Sequence, residues 1–405
     1  MTPSQARQAI VSGSGIGGLA AALAMARAGW GVDLLEKTDA FSEVGAGVQL
    51  GPNVVKLLQA WGLGSGLEAV AAFPDELLVR SAVSAEQLGK LRLGAWMAER
   101  YGARYATVHR ADLHNLLLDA VGQTGARLHL ACSLTSFTDY ADGVEAQTAQ
   151  GGNMEADVLI GADGLWSTVR QQLLGDGPPR VSGHLAYRAL VPQASLPEKH
   201  RSRCVTVWLG PRLHVVHYPV RRGELLNIVA VVHGNIPADA IASWDHSANG
   251  AGLEAALQGT PAALRDLIHA VGCWRLWPLC DRPPMQAADQ QARGRIALLG
   301  DAAHPMRPYL AQGAGMAIED AFELGRQLET LVSGNDLAAL DVPQALQRYA
   351  DQRWQRNARV QARAQRNGDI FHADGLLRVA RDTSMKLLGE KLLDMPWLYG
   401  AGPAV

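Results

Sequence analysis

The chain has 405 residues, 48% of them hydrophobic and 19% charged, with a formal net charge of −2. That length exceeds one comfortable core, so two closely joined domains are expected, and the composition excludes a disordered polymer. The near-neutral charge gives no electrostatic reason to expect nucleic acid or an acidic membrane surface as a partner.

The first predicted element is a βαβ unit over residues 8–37. Ala9-Ile10-Val11 is a continuous apolar run, as in a parallel strand covered on both faces. Gly13-Ser14-Gly15-Ile16-Gly17-Gly18 then opens an Ala/Leu-rich helix, and the next strand, Val32-Asp33-Leu34-Leu35, ends in Glu36 and Lys37. This is the G-x-G-x-x-G arrangement, with Gly13, Gly15 and Gly18 in the glycine places and a ribose-binding carboxylate at Glu36. The glycines bring backbone close to a pyrophosphate, and the helix N-terminus offers free N–H groups to it. A carboxylate there suits a ribose with a free 2′-hydroxyl.

Residues 43–53 follow as a glycine-rich loop containing Gly45, Gly47, Val48 and Gln49, and residues 53–61 read as a helix. Residues 77–93 are strand-like. A short strand then precedes His109-Arg110-Ala111-Asp112-Leu113, which opens an amphipathic helix, and alternating strands surround the Asp142-Gly143 turn up to Val158-Leu159-Ile160. Between about 180 and 285 the texture is β-rich, with strands expected over 186–191, 205–209, 213–219 and 225–232; tight turns between the last three predict an antiparallel meander. A strand at 295–299 leads to Gly300-Asp301, a long helix begins at Gly313, and the last 60 residues read as helical. The Gln- and Arg-rich stretch 344–366 is read as a solvated helix face.

Two further glycine–aspartate motifs, Gly161-Ala162-Asp163-Gly164 and Gly300-Asp301-Ala302-Ala303-His304-Pro305, each follow a buried strand. Each sets an acid at the C-terminal end of a parallel strand, where ligands of α/β sheets collect. Together with the first motif, these residues make the chain resemble the single-component FAD-dependent aromatic hydroxylases, the group of 4-hydroxybenzoate, salicylate and 3-hydroxybenzoate hydroxylases. The resemblance covers essentially the whole chain and is supported by the loop ending at Asn53, by His109–Leu113 and by Gln312-Gly313-Ala314-Gly315-Met316.

The resemblance implies an α/β fold: a Rossmann-like FAD-binding domain (1–75, 100–180 and 286–342), an interleaved antiparallel β-sheet substrate domain (76–99 and 181–285) and a C-terminal helical segment (343–405). It implies noncovalent FAD, held by the Gly13–Gly18 motif, Glu36 and Lys37 at the adenosine ribose, Arg110, Gly47 and Val48, Asp163 near the pyrophosphate, and Asp301 at a ribityl hydroxyl. Gly313, Ala314 and Gly315 would point helix N–H groups at flavin N1 and the C2 carbonyl, where reduced flavin is negative. There is no second dinucleotide motif, so NADH or NADPH would be a transient co-substrate. The reaction implied is hydroxylation of a small aromatic acid by O2 through a C4a-hydroperoxyflavin.

On the strand Leu213-His214-Val215-Val216-His217-Tyr218, alternation places His214, Val216 and Tyr218 on one face and His217 on the other. The face resembles the 3-hydroxybenzoate 6-hydroxylase and 6-hydroxynicotinate 3-monooxygenase branch, which implies substrate contact for His214, Val216 and Tyr218. A phenol titrates near ~10 in water, so a base poised closer to neutrality is expected to activate it, and His214 is the candidate. In Pro308-Tyr309 the chain departs from both branches: the hydroxybenzoate enzymes carry glutamine in place of Pro308, and the hydroxynicotinate enzymes carry histidine in place of Tyr309. Tyr309 is therefore a third catalytic candidate beside His214 and Tyr218, which is expected to position the ring, and Gln49 and Pro308 are candidate substrate contacts. Arg188 could meet a carboxylate, but the favoured reading makes it half of a structural salt bridge.

The favoured reading is a monooxygenase of a 3-hydroxybenzoate- or salicylate-like acid. Its alternatives are a hydroxylase of an N-heteroaromatic acid such as 6-hydroxynicotinate, and a non-catalytic FAD- or ligand-binding protein. Four scattered cysteines without C-x-x-C spacing fit reduced thiols and offer no metal set. With neither a secretory leader nor an apolar run of ~18–20 residues, a cytoplasmic monomer or homodimer is expected.

Overall fold

The computed structural model describes residues 7–41, 46–234, 246–248, 250–333 and 341–404. The βαβ unit forms as expected: strand Gln8–Ser12, helix Ile16–Arg27 and strand Gly31–Leu35. The two strands pair in parallel and sit inside a six-stranded sheet, flanked by Val158–Gly161 and Ile296–Leu298 on one side and Arg127–His129 on the other. Ala9, Ile10 and Val11 are fully buried, which accounts for their uninterrupted apolar run. The three glycine-bearing motifs therefore leave adjacent strands at the same edge, the C-terminal edge of a parallel sheet.

The helix Ile16–Arg27 is closely packed because its partners are small. The helix Gly313–Ser333 crosses it, and a Cβ on Gly325 would stand 2.8 Å from the Cβ of Ala24. At their starts a Cβ on Gly17 would stand 3.3 Å from the Cβ of Ala317, so the N-termini of both helices reach one cleft.

The second large sheet has eight strands. Arg180–Pro192, Leu225–His233, Leu213–Val220 and Val205–Gly210 are consecutive antiparallel neighbours, and Glu76–Ser81 with Gln87–Arg92 extends the sheet from the parallel side of Val205–Gly210. The expected meander is present.

Two expectations change. Residues 47–50 are not loop but a strand, Gly47–Leu50, paired antiparallel with Ala106–His109. The pairing satisfies the backbone of a segment whose glycines suggest only a loop. Gly47 is required there by space, since a Cβ would lie 2.6 Å from the Tyr218 ring. Gly45 lies outside the described residues.

The helix Val342–Phe371 is not simply a solvated face. Arg353, Asn357 and Gln361 are buried on it because carboxylates await them on the helix Gly313–Ser333 and a carbonyl in the 281–305 region. Among the described residues no helix is long and apolar enough to cross a membrane.

Candidate active site

The cleft at the C-terminal edge of the parallel sheet is shaped by glycines. Gly13 has φ +96°, and a Cβ there would stand 2.6 Å from the Ala162 carbonyl oxygen. A Cβ on Gly18 would fall 1.7 Å from the Gly13 oxygen, so helix and turn approach as closely as backbone permits. Gly15, by contrast, faces open space, and as N-cap of Ile16–Arg27 it contributes no side-chain cap. Uncapped helix N–H groups thus front an open cleft, which suits a diphosphate.

Glu36 lies beside that turn. Its Oε2 accepts from Ser14 N–H at 3.1 Å and from the Ser14 hydroxyl, while its Oε1 accepts from Thr38 N–H at 3.0 Å and the Thr38 hydroxyl at 2.9 Å. Burial resists ionisation, but these bonds outweigh it and hold the carboxyl below its usual range. Lys37 beside it is exposed.

Asp163 is spent locally: it accepts from the Ser167 hydroxyl, from Thr168 N–H at 2.8 Å and from Val169 N–H at 3.2 Å, holding the first turn of Thr168–Leu174. Asp301 differs. Its side chain is exposed, yet the surrounding protein still pushes its carboxyl upward, with His304 and Arg110 pulling the other way. Gly313 is adjacent, since a Cβ there would stand 4.0 Å from Asp301 Oδ1. Arg110 opens the helix Arg110–Gly122, its N–H bonded to the Ala46 carbonyl at 2.8 Å, next to the strand that carries Gly47 and Val48. A Cβ on Gly315 would stand 2.9 Å from Val54, so the start of Gly313–Ser333 lies tight against the helix Pro52–Ala60. The cradle, the open acid and the two helix N-termini fit FAD laid across the cleft.

Next to this cleft is a cavity of about 410 Å³ whose lining includes Gln49, Tyr105, His214, Val216, Pro308 and Tyr309. The structure thus brings His214, Val216, Gln49, Pro308 and Tyr309 together from three distant segments. Tyr218 shares their sheet face but sits deeper, against Gly47 and hydrogen-bonded to Gln49, rather than among the lining residues. Gln49 is fixed by the Tyr105 hydroxyl, which donates to its Oε1 at 2.8 Å. Burial drives both Tyr218 and Tyr309 well above the ordinary tyrosine range, so each stays a hydrogen-bond donor.

His214 is not the near-neutral base that its sequence context suggests. Burial first, then the neighbouring His184, lowers it to about 3. The imidazole is neutral at physiological pH and resists holding an added proton. On the opposite face His217 is likewise buried, accepts from Trp208 Nε1 at 3.3 Å and is lowered to about 4. Arg188 forms no salt bridge among the described residues; it lies over the Trp277 ring at 5.1 Å, its Nε unbonded, near Arg110 and Tyr218.

Three histidines escaped the sequence reading. His184 and His233 stand directly opposite each other on paired strands, and His372 caps the helix Val342–Phe371. All three gather behind His214 and Tyr309: His184 meets the Tyr309 hydroxyl, and His372 meets both His214 and His233. Strand alternation could have flagged His184 and His233 singly; their convergence needed the sheet register.

Known proteins agree with this geometry. The FAD-binding domain family matches residues 6–364. The 3-hydroxybenzoate 6-hydroxylase of Polaromonas naphthalenivorans is 38% identical, with 96% of this chain and 95% of that protein covered. The 6-hydroxynicotinate 3-monooxygenase of Bordetella bronchiseptica is also 38% identical, over 87% of this chain and 88% of that one. A Klebsiella pneumoniae protein, HpxO, solved with FAD and uric acid, superposes with a TM-score of 0.82 at 28% identity, covering 96% of this chain and 94% of that one. The chain belongs to the FAD-binding domain family and is an FAD-dependent aromatic-ring monooxygenase.

Proposed function

We propose that the chain hydroxylates a small phenolic acid of the 3-hydroxybenzoate type, consuming O2 and a reduced nicotinamide. The observation that carries this reading is the neutral imidazole of His214 lining an apolar cavity beside the flavin cleft, with Tyr309 next to it. Bound FAD, once reduced, supplies the activated oxygen that adds to the ring.

The chain's own residues do the rest. Gly13, Gly15 and Gly18 admit the diphosphate, Glu36 and Lys37 take the adenosine ribose, and Gly47, Val48 and Arg110 border the middle of the cofactor. Asp163 shapes its turn, Asp301 receives a ribityl hydroxyl, and the Gly313-Ala314-Gly315 helix start stabilises negative charge on the reduced ring. In this reading residues 76–99 and 181–285 form the substrate sheet, while 1–75, 100–180 and 286–342 hold FAD.

At the substrate, His214 accepts the phenolic hydrogen bond and increases electron density in the ring. Tyr309 donates a hydrogen bond, and Val216 and Pro308 pack the ring faces. Gln49, braced by Tyr105 and bonded to Tyr218, sets the flavin-side wall. The apolar lining keeps water from the reactive centre. With 3-hydroxybenzoate, attack para to the hydroxyl gives a 2,5-dihydroxy acid.

The test is a screen of monohydroxybenzoates and hydroxypyridine carboxylic acids for stimulated NADH or NADPH oxidation, with product identification. Stimulation and oxygenation by a hydroxybenzoate support the reading. Oxygenation confined to the hydroxypyridine acids replaces the substrate class, and no stimulation by any member overturns the reading.

A further inference from the structure

His214 is one end of a chain of imidazoles. Its Nδ1 lies 2.8 Å from Nε2 of His372, and Nδ1 of His372 lies 2.9 Å from Nε2 of His233. The first ring lines the cavity, the second is buried, and the third is half-buried at the end of its strand. The order is set by the fold. His372 ends the helix Val342–Phe371, and its carbonyl accepts from Arg212 N–H at 3.1 Å, which pins the ring between the strands that carry His214 and His233.

We propose that His372 and His233 relay the phenolic proton of the substrate from His214 to solvent. The inference rests on a phenolic substrate, as read above. A neutral imidazole has one N–H donor and one acceptor nitrogen, so three in line can hand a proton along without any ring keeping a charge. The substrate O–H bond breaks and its proton goes to Nε2 of His214. The proton on His214 Nδ1 moves to His372 Nε2, that on His372 Nδ1 moves to His233 Nε2, and His233 gives one from Nδ1 to water. The phenolate remains, one proton has left, and each imidazole ends neutral in its other tautomer.

The surroundings demand such a hand-off. His372 is lowered by burial and by His214, His184, His233 and Arg381; His233 by burial and Arg212, with Asp369 opposing. His184 is lowered by burial, His233 and Arg307, and Tyr309 faces Arg307, Asp369 and Asp281. A proton parked on any of these rings is penalised, whereas one passed through is not.

His184 braces the relay. It stacks on His233 with ring centroids 4.4 Å apart and bonds the Tyr309 hydroxyl. One nitrogen each of His184, His233 and His372 lie within 4.8 Å of one another, a spacing open to a metal ion. The interplanar angle of 27° between His184 and His233 keeps their in-plane lone pairs from converging, and both His372 nitrogens already face imidazoles. The arrangement is a proton path.

The experiment mixes FAD-loaded enzyme with 3-hydroxybenzoate in a stopped-flow instrument without nicotinamide. Flavin absorbance reports binding, and the ultraviolet difference band of the bound phenolate reports proton loss; benzoate, which has no phenol, is the blank. His372→Ala and His233→Gln are expected to keep the binding signal yet slow phenolate formation by at least ~10-fold, the low end of general-base effects. Free imidazole should restore the rate in His372→Ala and leave the wild type unchanged, which a merely structural role would not produce. Binding with wild-type phenolate formation in both variants overturns the relay alone. Failure of the wild type to bind any hydroxybenzoate overturns the substrate reading and the relay with it. One tightly held metal ion per purified chain would replace the relay with a metal centre.

Discussion

Arg353 Nε donates to Asp320 Oδ1 at 2.8 Å, and both side chains are buried. The same guanidinium reaches Glu319 Oε2 at 2.8 Å, and Asn357 donates to Asp320 at 2.8 Å. The helix Val342–Phe371 is thereby locked to Gly313–Ser333, the helix whose N-terminus faces the flavin cleft. Asp320 also accepts from Gly300 N–H at 3.2 Å and meets His304 Nε2, so the lock extends to the Gly300-Asp301 turn.

Removing Arg353 takes a cation away from two buried carboxylates at once, leaving Glu319 to Arg356 and Asp320 to His304 and Asn357. Arg353→Met is expected to cost about 3–5 kcal/mol of stability, the usual penalty for breaking one side of a buried pair. Urea denaturation of the holoenzyme measures it, and a loss under ~1 kcal/mol would show that water or another group replaces the guanidinium.

The pH dependence carries a sign. Burial raises the Asp320 carboxyl, but His304 and Arg353 outweigh it and bring it down to about 2. A depressed carboxyl contributes stability above its unfolded value, and that contribution is lost as pH falls from ~4 toward 2. The histidines act earlier. His184 at about 4, His214 at about 3 and His217 at about 4 bind protons more weakly folded than unfolded. Their contribution is full above the unfolded value near ~6.5 and is lost as pH drops toward 3. Denaturation midpoints should decline through pH 6 to 4, before the carboxylates titrate, and His217→Gln should flatten part of that decline. An unchanged midpoint from pH 7 to pH 4.5 would contradict the buried neutral histidines.

Glu36→Ala is expected to weaken FAD retention by roughly 1–3 kcal/mol, since it removes paired acceptors and frees Ser14 and Thr38. Fluorescence titration of the apoprotein with FAD gives the shift in Kd. An unchanged Kd would move ribose recognition elsewhere in the cleft.

The sequence carried much of this site because its signals are local. Gly13, Gly15, Gly18 and Glu36 fall within one βαβ unit, and period-two alternation correctly put His214 and Val216 on one face with His217 behind. What it hid is non-local. His184 and His233 oppose each other only once the strand register is set, and His372 joins them across 139 residues. Arg353 looked solvated because its helix is rich in Gln and Arg, and only the packed partner reveals acids waiting for it. The strand Gly47–Leu50 was obscured by the glycine that opens it, Gly47, which leaves room for Tyr218.

Tyr309→Phe should separate orientation from proton loss. It removes the donor to the substrate and the contact with His184 but leaves His214–His372 intact. KM is expected to rise several-fold, by the ~1 kcal/mol typical of one hydrogen bond, with phenolate formation little changed. A collapse of phenolate formation instead would assign proton transfer to Tyr309.

The most direct measurement concerns coupling in His214→Asn. With a hydroxybenzoate, O2 and reduced nicotinamide, the variant should retain FAD and bind ligand, while hydroxylated product falls by ~10²–10⁴ in rate, the range of general-base contributions. Oxygen consumption should then appear as hydrogen peroxide. A variant that matches wild-type product per nicotinamide consumed would show that His214 takes no part in activating the ring.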